Sequence, residues 1–508
     1  MNDKNSVERR EQGNCRRFIL AICITCLVAI PPCFAQSQTP DSAAIQQRIR
    51  ALTDAMERVE SQMQESQREM SEIKKQIALL RDASGANAAE APATPDPAKD
   101  LADAVASVRE TQAIQGAQIA TLEQTKVESA SKYPVKVTGM ILMTGIVSTH
   151  GTDSAQTPAV AYGGSGFTSA SIRQTILGLD GEGPRIFGAR THGDVRMDFS
   201  AVASGSLNID TYSLGLMRLR TAHADIDWDH AQAYFALDRP ILSPDSPASI
   251  TAVAQPALAW SGNLWAWNPQ VGASFDVLHA PSRTLRIQSA LIDTADAPWS
   301  NLALSGIYLP TSTSENSRWP GIETRLSYGS MRDESGARIG VSGMFAPHNV
   351  GALGFSFDSW AGAADFRLPL TRFMQFSGNA YYGSALGGLG GGAYKDYVWK
   401  SGEDQTYYRI LDDSGGWLQW KQKTGDRLEF NEAFGIDNVP GHQLFPYVTT
   451  TGVSISNLAR NRTATANVIY SPSAYLLFSL EYRHIMSSFE TAPTQSTDVI
   501  GLGAGYRF

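Results

Sequence analysis

Two periodicities divide the chain. Between Ile45 and Leu80 the positions Ile45, Ile49, Leu52, Met56, Val59, Met63, Ser66, Met70, Ile73, Ile77 and Leu80 are spaced alternately by four and three residues. Gln, Glu, Arg and Lys fill the intervals. A seam two positions per heptad wide is too narrow to dock a helix on a globule, and it predicts a coiled coil. Such a coil, within residues 36–82, would be about 50 Å long at helical rise. Its Ile, Met and Leu seam does not separate dimer from trimer. Residues 83–99, ASGANAAEAPATPDPAK, have no period and read as an Ala/Pro-rich linker. A weaker heptad (Leu101, Val105, Val108, Ile119, Leu122) resumes in the segment 100–132, where Gln112, Gln115 and Gly116 interrupt it. It reads either as a short second coil or as a fraying helix.

From Tyr133 onward the period becomes two. In DVRMDFS, Asp194, Arg196 and Asp198 share one face and Val195, Met197 and Phe199 the other; AYLLFSLEYR and TANVIY alternate in the same way. Turns rich in Gly, Ser, Asp and Pro separate such segments over residues 133–508. This length accommodates about 16 antiparallel strands of about 10 residues each, with turns and loops between. The chain ends VIGLGAGYRF. Ile500, Leu502, Ala504, Tyr506 and Phe508 lie on one face, Gly501, Gly503, Gly505 and Arg507 on the other. A lipid-facing strand ending on an aromatic resembles the signal read by the barrel-assembly machinery, carried here by Tyr506 and Phe508.

The N-terminus sets the compartment. Lys4, Arg9, Arg10, Arg16 and Arg17 precede the apolar run FILAICITCLVAI, and Cys33 and Ala35 stand where a signal peptidase reads. Residues 1–35 read as a secretory signal peptide, its core too short for a comfortable membrane span. All four cysteines fall within it, so the exported chain can form neither a disulfide nor a thiolate metal site. Its removal takes five basic and three acidic residues from totals of 42 and 50, leaving a net charge of −10. That sign, with export, disfavours nucleic acid as a partner. With no other apolar run long enough for a helix, an exported chain that lives in a membrane must cross it as a closed barrel. The fold class expected is an all-β transmembrane barrel with an N-terminal, periplasmic, α-helical coiled coil.

A secreted coiled-coil preface, an Ala/Pro linker and a barrel opened by a basic VKVTG strand resemble the DcaP-like outer-membrane porins, relatives of the phosphate-selective porins. The segment LMRLRTA (Leu216–Ala222), followed by HADIDWDHAQAYFALDRPILSP, resembles that family's early strand pair, which leads into a long loop. The resemblance implies a homotrimer of barrels of about 16 strands that lets small anionic solutes diffuse through the outer membrane.

Candidate pore residues follow from charge. Arg173, Arg185, Arg190, Arg196, Arg218 and Arg220 are concentrated in one stretch with Asp194 and Asp198. On a pore wall, arginines attract anions and grip carboxylates with two hydrogen bonds. Arg218 and Arg220 have one strand parity, whereas His223, Asp225 and Asp227 have the other, so a bulge or a strand end must intervene. If the aspartates face the arginines, the wall is either neutralised or gives a transverse field. Residues 240–270 hold five prolines (Pro240, Pro244, Pro247, Pro256 and Pro269) and Trp260, Trp265 and Trp267. A loop this long either folds into the barrel as a constriction or caps it, or its tryptophans mark an interfacial girdle. The Gly-rich stretch 381–401 matches no phosphate-binding loop. HExxH, GxSxG and EF-hand patterns are absent and the eight histidines are dispersed. No enzyme activity, cofactor or preformed metal site is therefore expected. Two other readings remain: a barrel anchoring the coiled coil as a tether, and an outer-membrane hydrolase built on a barrel.

Overall fold

The computed structural model describes residues 135–508 apart from 202–215, 281–282, 299–310, 331–335, 352–353, 404 and 449–450. The expected signal peptide, coiled coil, linker and second helical segment lie outside these residues.

Sixteen antiparallel strands form one closed sheet. They are β1 Val135–Ser148, β2 in two segments (Phe167–Ser171 and Ile176–Glu182), β3 Arg190–Ala201, β4 Leu216–Asp227, β5 Ala231–Asp238, β6 Asn268–Ala280, β7 Arg283–Ile292 and β8 Gly321–Gly329. There follow β9 Arg338–Val350, β10 Phe355–Thr371, β11 Met374–Ser384, β12 Asp412–Thr424, β13 Leu428–Asn438, β14 Leu458–Tyr470, β15 Leu476–Phe489 and β16 Ala492–Arg507. Each pairs with its sequence neighbours. The seam is closed by β16 on β1, from Ile141 opposite Tyr506 to Ser148 opposite Val499. Phe508 extends that ladder by exchanging two 3.1 Å backbone hydrogen bonds with Gly139. A closed sheet leaves no unpaired edge, which is the condition for crossing a bilayer with strands.

Alternation sorts the side chains. On β15, Leu476, Phe478, Leu480 and Tyr482 are exposed on the outer face, while Ser479, Glu481, Arg483 and Ser487 are buried inside. On β16, Ile500, Leu502 and Tyr506 face out, and Gly501, Gly503 and Gly505 face in. Aromatic pairs border the outer face: Phe376 beside Trp420 near the short-turn end, and Trp360 edge-on to Tyr382 near the long-loop end. Such aromatics suit the two boundaries of a hydrocarbon layer.

Candidate functional site: a polar lumen crossed by one loop

The loop 239–267 leaves β5 and turns into the barrel. Its backbone would be unsatisfied there without partners, and the inward side chains of the wall supply them. Glu323 of β8 accepts the Ile241 N–H at 2.9 Å, and Asn379 of β11 donates to the Leu242 carbonyl at 2.8 Å. Arg338 of β9, at 2.8 Å, and Arg367 of β10 close on the Asp245 carboxylate. Asn467 of β14 donates to the Ala248 carbonyl, Ser249 donates to Glu481 of β15, and Arg483 of β15 donates to Thr251. Gln174, fully buried in the break of β2, accepts the Val253 and Ala254 N–H groups and donates to the Thr251 carbonyl. The loop can lie this close because the wall is cut away beneath it. A Cβ on Gly435 of β13 would stand 2.0 Å from the Ser261 carbonyl oxygen, and one on Gly501 would meet the Thr251 side chain at 3.0 Å.

The three loop tryptophans sit in the lumen, away from the lipid girdle that was one expectation for them. Trp260, 5% exposed, stacks on Tyr394 of the loop 385–411 and meets Trp265 edge-on at 5.8 Å. Trp265 meets Trp267 edge-on at 5.4 Å. The guanidinium groups of Arg218 and Arg220 each lie 5.0 Å from the Trp267 ring centroid. A cation over an indole face is attracted by the ring's quadrupole, so this aromatic row is fastened to the wall by charge.

The register between β3 and β4 explains the mixed parity of the sequence. Arg196 pairs with Thr221 and the next residue, Met197, pairs with Leu219, so Arg220 is the extra residue of a bulge. The bulge lets Arg218, Arg220 and His223 all serve the lumen although they do not alternate. The structure brings the five candidate wall residues together, but as ion pairs. Arg218 grips the fully buried Asp198 with two hydrogen bonds, at 3.1 and 2.7 Å, and donates to the Ala254 carbonyl. Arg220 lies 3.7 Å from the same carboxylate. Arg196 is bound to Asp180 at 2.6 Å and lies 3.9 Å from Asp194. His223 bridges Asp194 and Asp238, 3.2 Å from each. Arg173 donates to the Phe199 carbonyl. The cluster expected to be cationic is thus matched with acid: Asp180, Asp194, Asp198 and Asp238 stand against Arg196, Arg218, Arg220 and His223.

The cationic wall lies elsewhere. Below the loop, toward the short-turn end, two cavities of about 460 and 370 Å³ are lined by Arg367, Arg372, Lys421, Lys423, Arg427 and Arg507, together with Asp245, Asp426 and Glu429. Lys421 pairs with Glu429 at 3.1 Å. Sequence reading missed this wall. The signal is present: Leu418 and Trp420 alternate with Gln419, Lys421 and Lys423, which marks the lysines as inward. β3 and β11 are half a circumference apart, so a charge-paired wall and a basic wall face each other across the lumen.

The loop 385–411 completes the interior. Lys395 is fully buried, its ammonium donating to the carbonyls of Ala393, Ile455 and Leu458 at 2.7–2.9 Å. Asp396 accepts N–H groups of Gly387 and Ala297 at 2.8 and 3.1 Å. Burial pushes Lys395 down to about 7 and Asp396 up to about 7. Tyr394 donates to Asp153 of the β1–β2 loop at 3.0 Å.

No protein-family model matches the chain, and no match is found among curated proteins. Among solved structures, the outer membrane channel DcaP of Acinetobacter baumannii superposes with a TM-score of 0.55 at 14% identity, covering 74% of this chain and 97% of that one. The chain has the DcaP fold. The anion-selective porin from Comamonas acidovorans is less similar, with a TM-score of 0.46 at 8% identity over 74% of this chain and 100% of that one. The DcaP likeness agrees with the sequence resemblance: the LMRLRTA segment is β4, its successor is β5, and the long loop follows.

Proposed function

We propose that this chain is an outer-membrane porin for passive diffusion of small hydrophilic solutes. The observation that carries the reading is the loop 239–267, which crosses a polar lumen and is hydrogen-bonded to the wall on both sides. A barrel serving only as an anchor has no need of such a loop. Arg196, Arg218, Arg220, Asp194 and Asp198 are pore-wall residues in this reading, and Trp260, Trp265 and Trp267 belong to the constriction. A charge-paired wall facing a basic one creates a transverse field that orients dipolar solutes. The basic wall below the loop favours solutes carrying a carboxylate or phosphate, consistent with the family resemblance.

The active form in this proposal is a homotrimer with the helical N-terminal region, residues 36–132, in the periplasm. The outer face of β4 and β5 supports the assembly: Ala222, Ala224 and Ala233 stand opposite Leu237, Phe235 and Ile226, an apolar surface of alternating small and large side chains suited to interdigitation with a second copy. Both Val135 and Phe508 lie at the short-turn end of the barrel, the end that faces the periplasm in barrels of even strand number, which supports this reading.

The test is conductance. Purified full-length protein in a planar bilayer should give stepwise, ohmic currents, and a salt gradient should give a reversal potential of anionic sign. Protein that inserts but stays silent would turn the reading to a tether.

A further inference from the structure

The dispersed histidines gave no metal site in sequence, yet register brings one of them into a donor set. Asp180 of β2 lies directly opposite Asp194 of β3, and His192 shares the inward parity of Asp194. One ligand atom from each of Asp180, His192 and Asp194 lies within 4.8 Å of the others. His192 Nε2 is 3.9 Å from the Asp194 carboxylate. Its other nitrogen, Nδ1, is 3.5 Å from Glu182. All three donors are half-buried and open to the lumen.

The geometry points to a lumenal site for a borderline divalent cation of the Zn²⁺ class, held by Asp180, His192 and Asp194. Three features carry this. One imidazole with two carboxylates is the mixed nitrogen–oxygen set that such ions prefer over the oxygen-only cages of Ca²⁺. Three protein ligands with one open side leave the fourth tetrahedral position to lumen water. Glu182 stands where an outer carboxylate orients a ligating histidine, directing Nε2 toward the ion. The donors must draw together from separations of up to 4.8 Å to reach metal–ligand distances of about 2.0–2.2 Å.

The site has a competitor. Arg196 occupies Asp180 at 2.6 Å and approaches Asp194 at 3.9 Å, while Thr138 donates to Asp180 at 2.7 Å and His223 contacts Asp194. The guanidinium supplies the counter-charge that the ion would supply, so binding must release Arg196 toward the lumen. The order of events is exchange: one cation leaves the carboxylates as the other arrives.

The experiment is calorimetric titration of Zn²⁺ into chelator-treated, full-length protein in detergent, and it needs no conductance, so it succeeds or fails separately from the porin reading. One ion per chain is expected. His192→Ala should abolish it, Glu182→Gln should weaken it 10–100-fold, and Arg196→Ala should tighten it about tenfold by removing the competitor. Absence of binding to the wild-type chain, equal binding by His192→Ala, displacement by equimolar Ca²⁺, or weakening by Arg196→Ala would each overturn the assignment. Glu182→Gln is nearly isosteric, which keeps the test decisive if the alanine variants fail to fold.

Discussion

The ring of Trp260 lies on the ring of Tyr394 with centroids 3.9 Å apart and planes 16° from parallel. This contact joins two loops that enter the lumen from opposite sides of the barrel. Stacked aromatic pairs contribute about 0.5–1.5 kcal/mol beyond the area they bury. Trp260→Ala should therefore loosen the loop 239–267 without unfolding the barrel. Single-channel recording should show larger and noisier conductance, while heat-induced unfolding of the barrel moves little.

Asp245 is the hinge pin between the loop and the basic wall, since Arg338 and Arg367 stand directly opposite each other and share its carboxylate. Asp245→Ala leaves two half-buried cations facing each other, a cost of about 3 kcal/mol where one partner of a desolvated pair is deleted. Denaturant midpoints should fall, and the reversal potential should move toward anions.

Arg218→Ala with Arg220→Ala strips both cations from a fully buried carboxylate. The reversal potential should shift toward cations. Adding Asp198→Ala should bring it about halfway back, because the three side chains together carry one net positive charge, the double variant leaves one negative charge and the triple variant leaves none. Equal shifts in the double and triple variants would show that Asp198 does not couple to them.

The buried pair Lys395 and Asp396 makes the loop 385–411 sensitive to pH. Lys395 falls from 10.5 to about 7. The open loop therefore binds more protons than the closed one between those values, and closure strengthens as pH rises through that window. Asp396 rises from 3.8 to about 7, so closure strengthens as pH falls from 7 toward 3.8. Spontaneous closing and opening events in bilayer recordings should be most frequent near pH 7. Lys395→Met should remove the alkaline arm and Asp396→Asn the acid arm.

The N-terminal seam gives a further expectation. Replacing Leu52 and Ile77 by Lys puts charge into a coiled-coil interface. Oligomers resolved by native electrophoresis should weaken while the barrel remains inserted. Unchanged oligomers would show that the helices do not associate.

The barrel was legible because lipid and lumen impose opposite chemistry on alternate residues. β15 and β16 can be assigned face by face from their letters alone, and the mixed parity after Arg220 called for a bulge or a strand end, of which the structure has the bulge. The loop was harder. Its prolines announced a long irregular segment, but period two says nothing about where a non-strand lies, so Trp260 could equally have been a girdle residue. The pairing of charges was harder still. Arg196 and Asp180, or Asp245 and Arg367, meet through register and loop path, which separate their positions in sequence by 16 and 122 residues. Only the topology brings them together.

The route of the loop 239–267 also dictates a history. Two of its anchors, Ser249 on Glu481 and Thr251 on Arg483, join residues 232 positions apart. Neither anchor can form until the last strands have arrived and curled round. The loop is therefore seated in two stages: its contacts with Glu323, Asn379, Arg338 and Arg367 on β8 to β11 can be made early, and those on β15 only as the cylinder closes. The step that completes the wall is thus also the step that locks its obstruction in place.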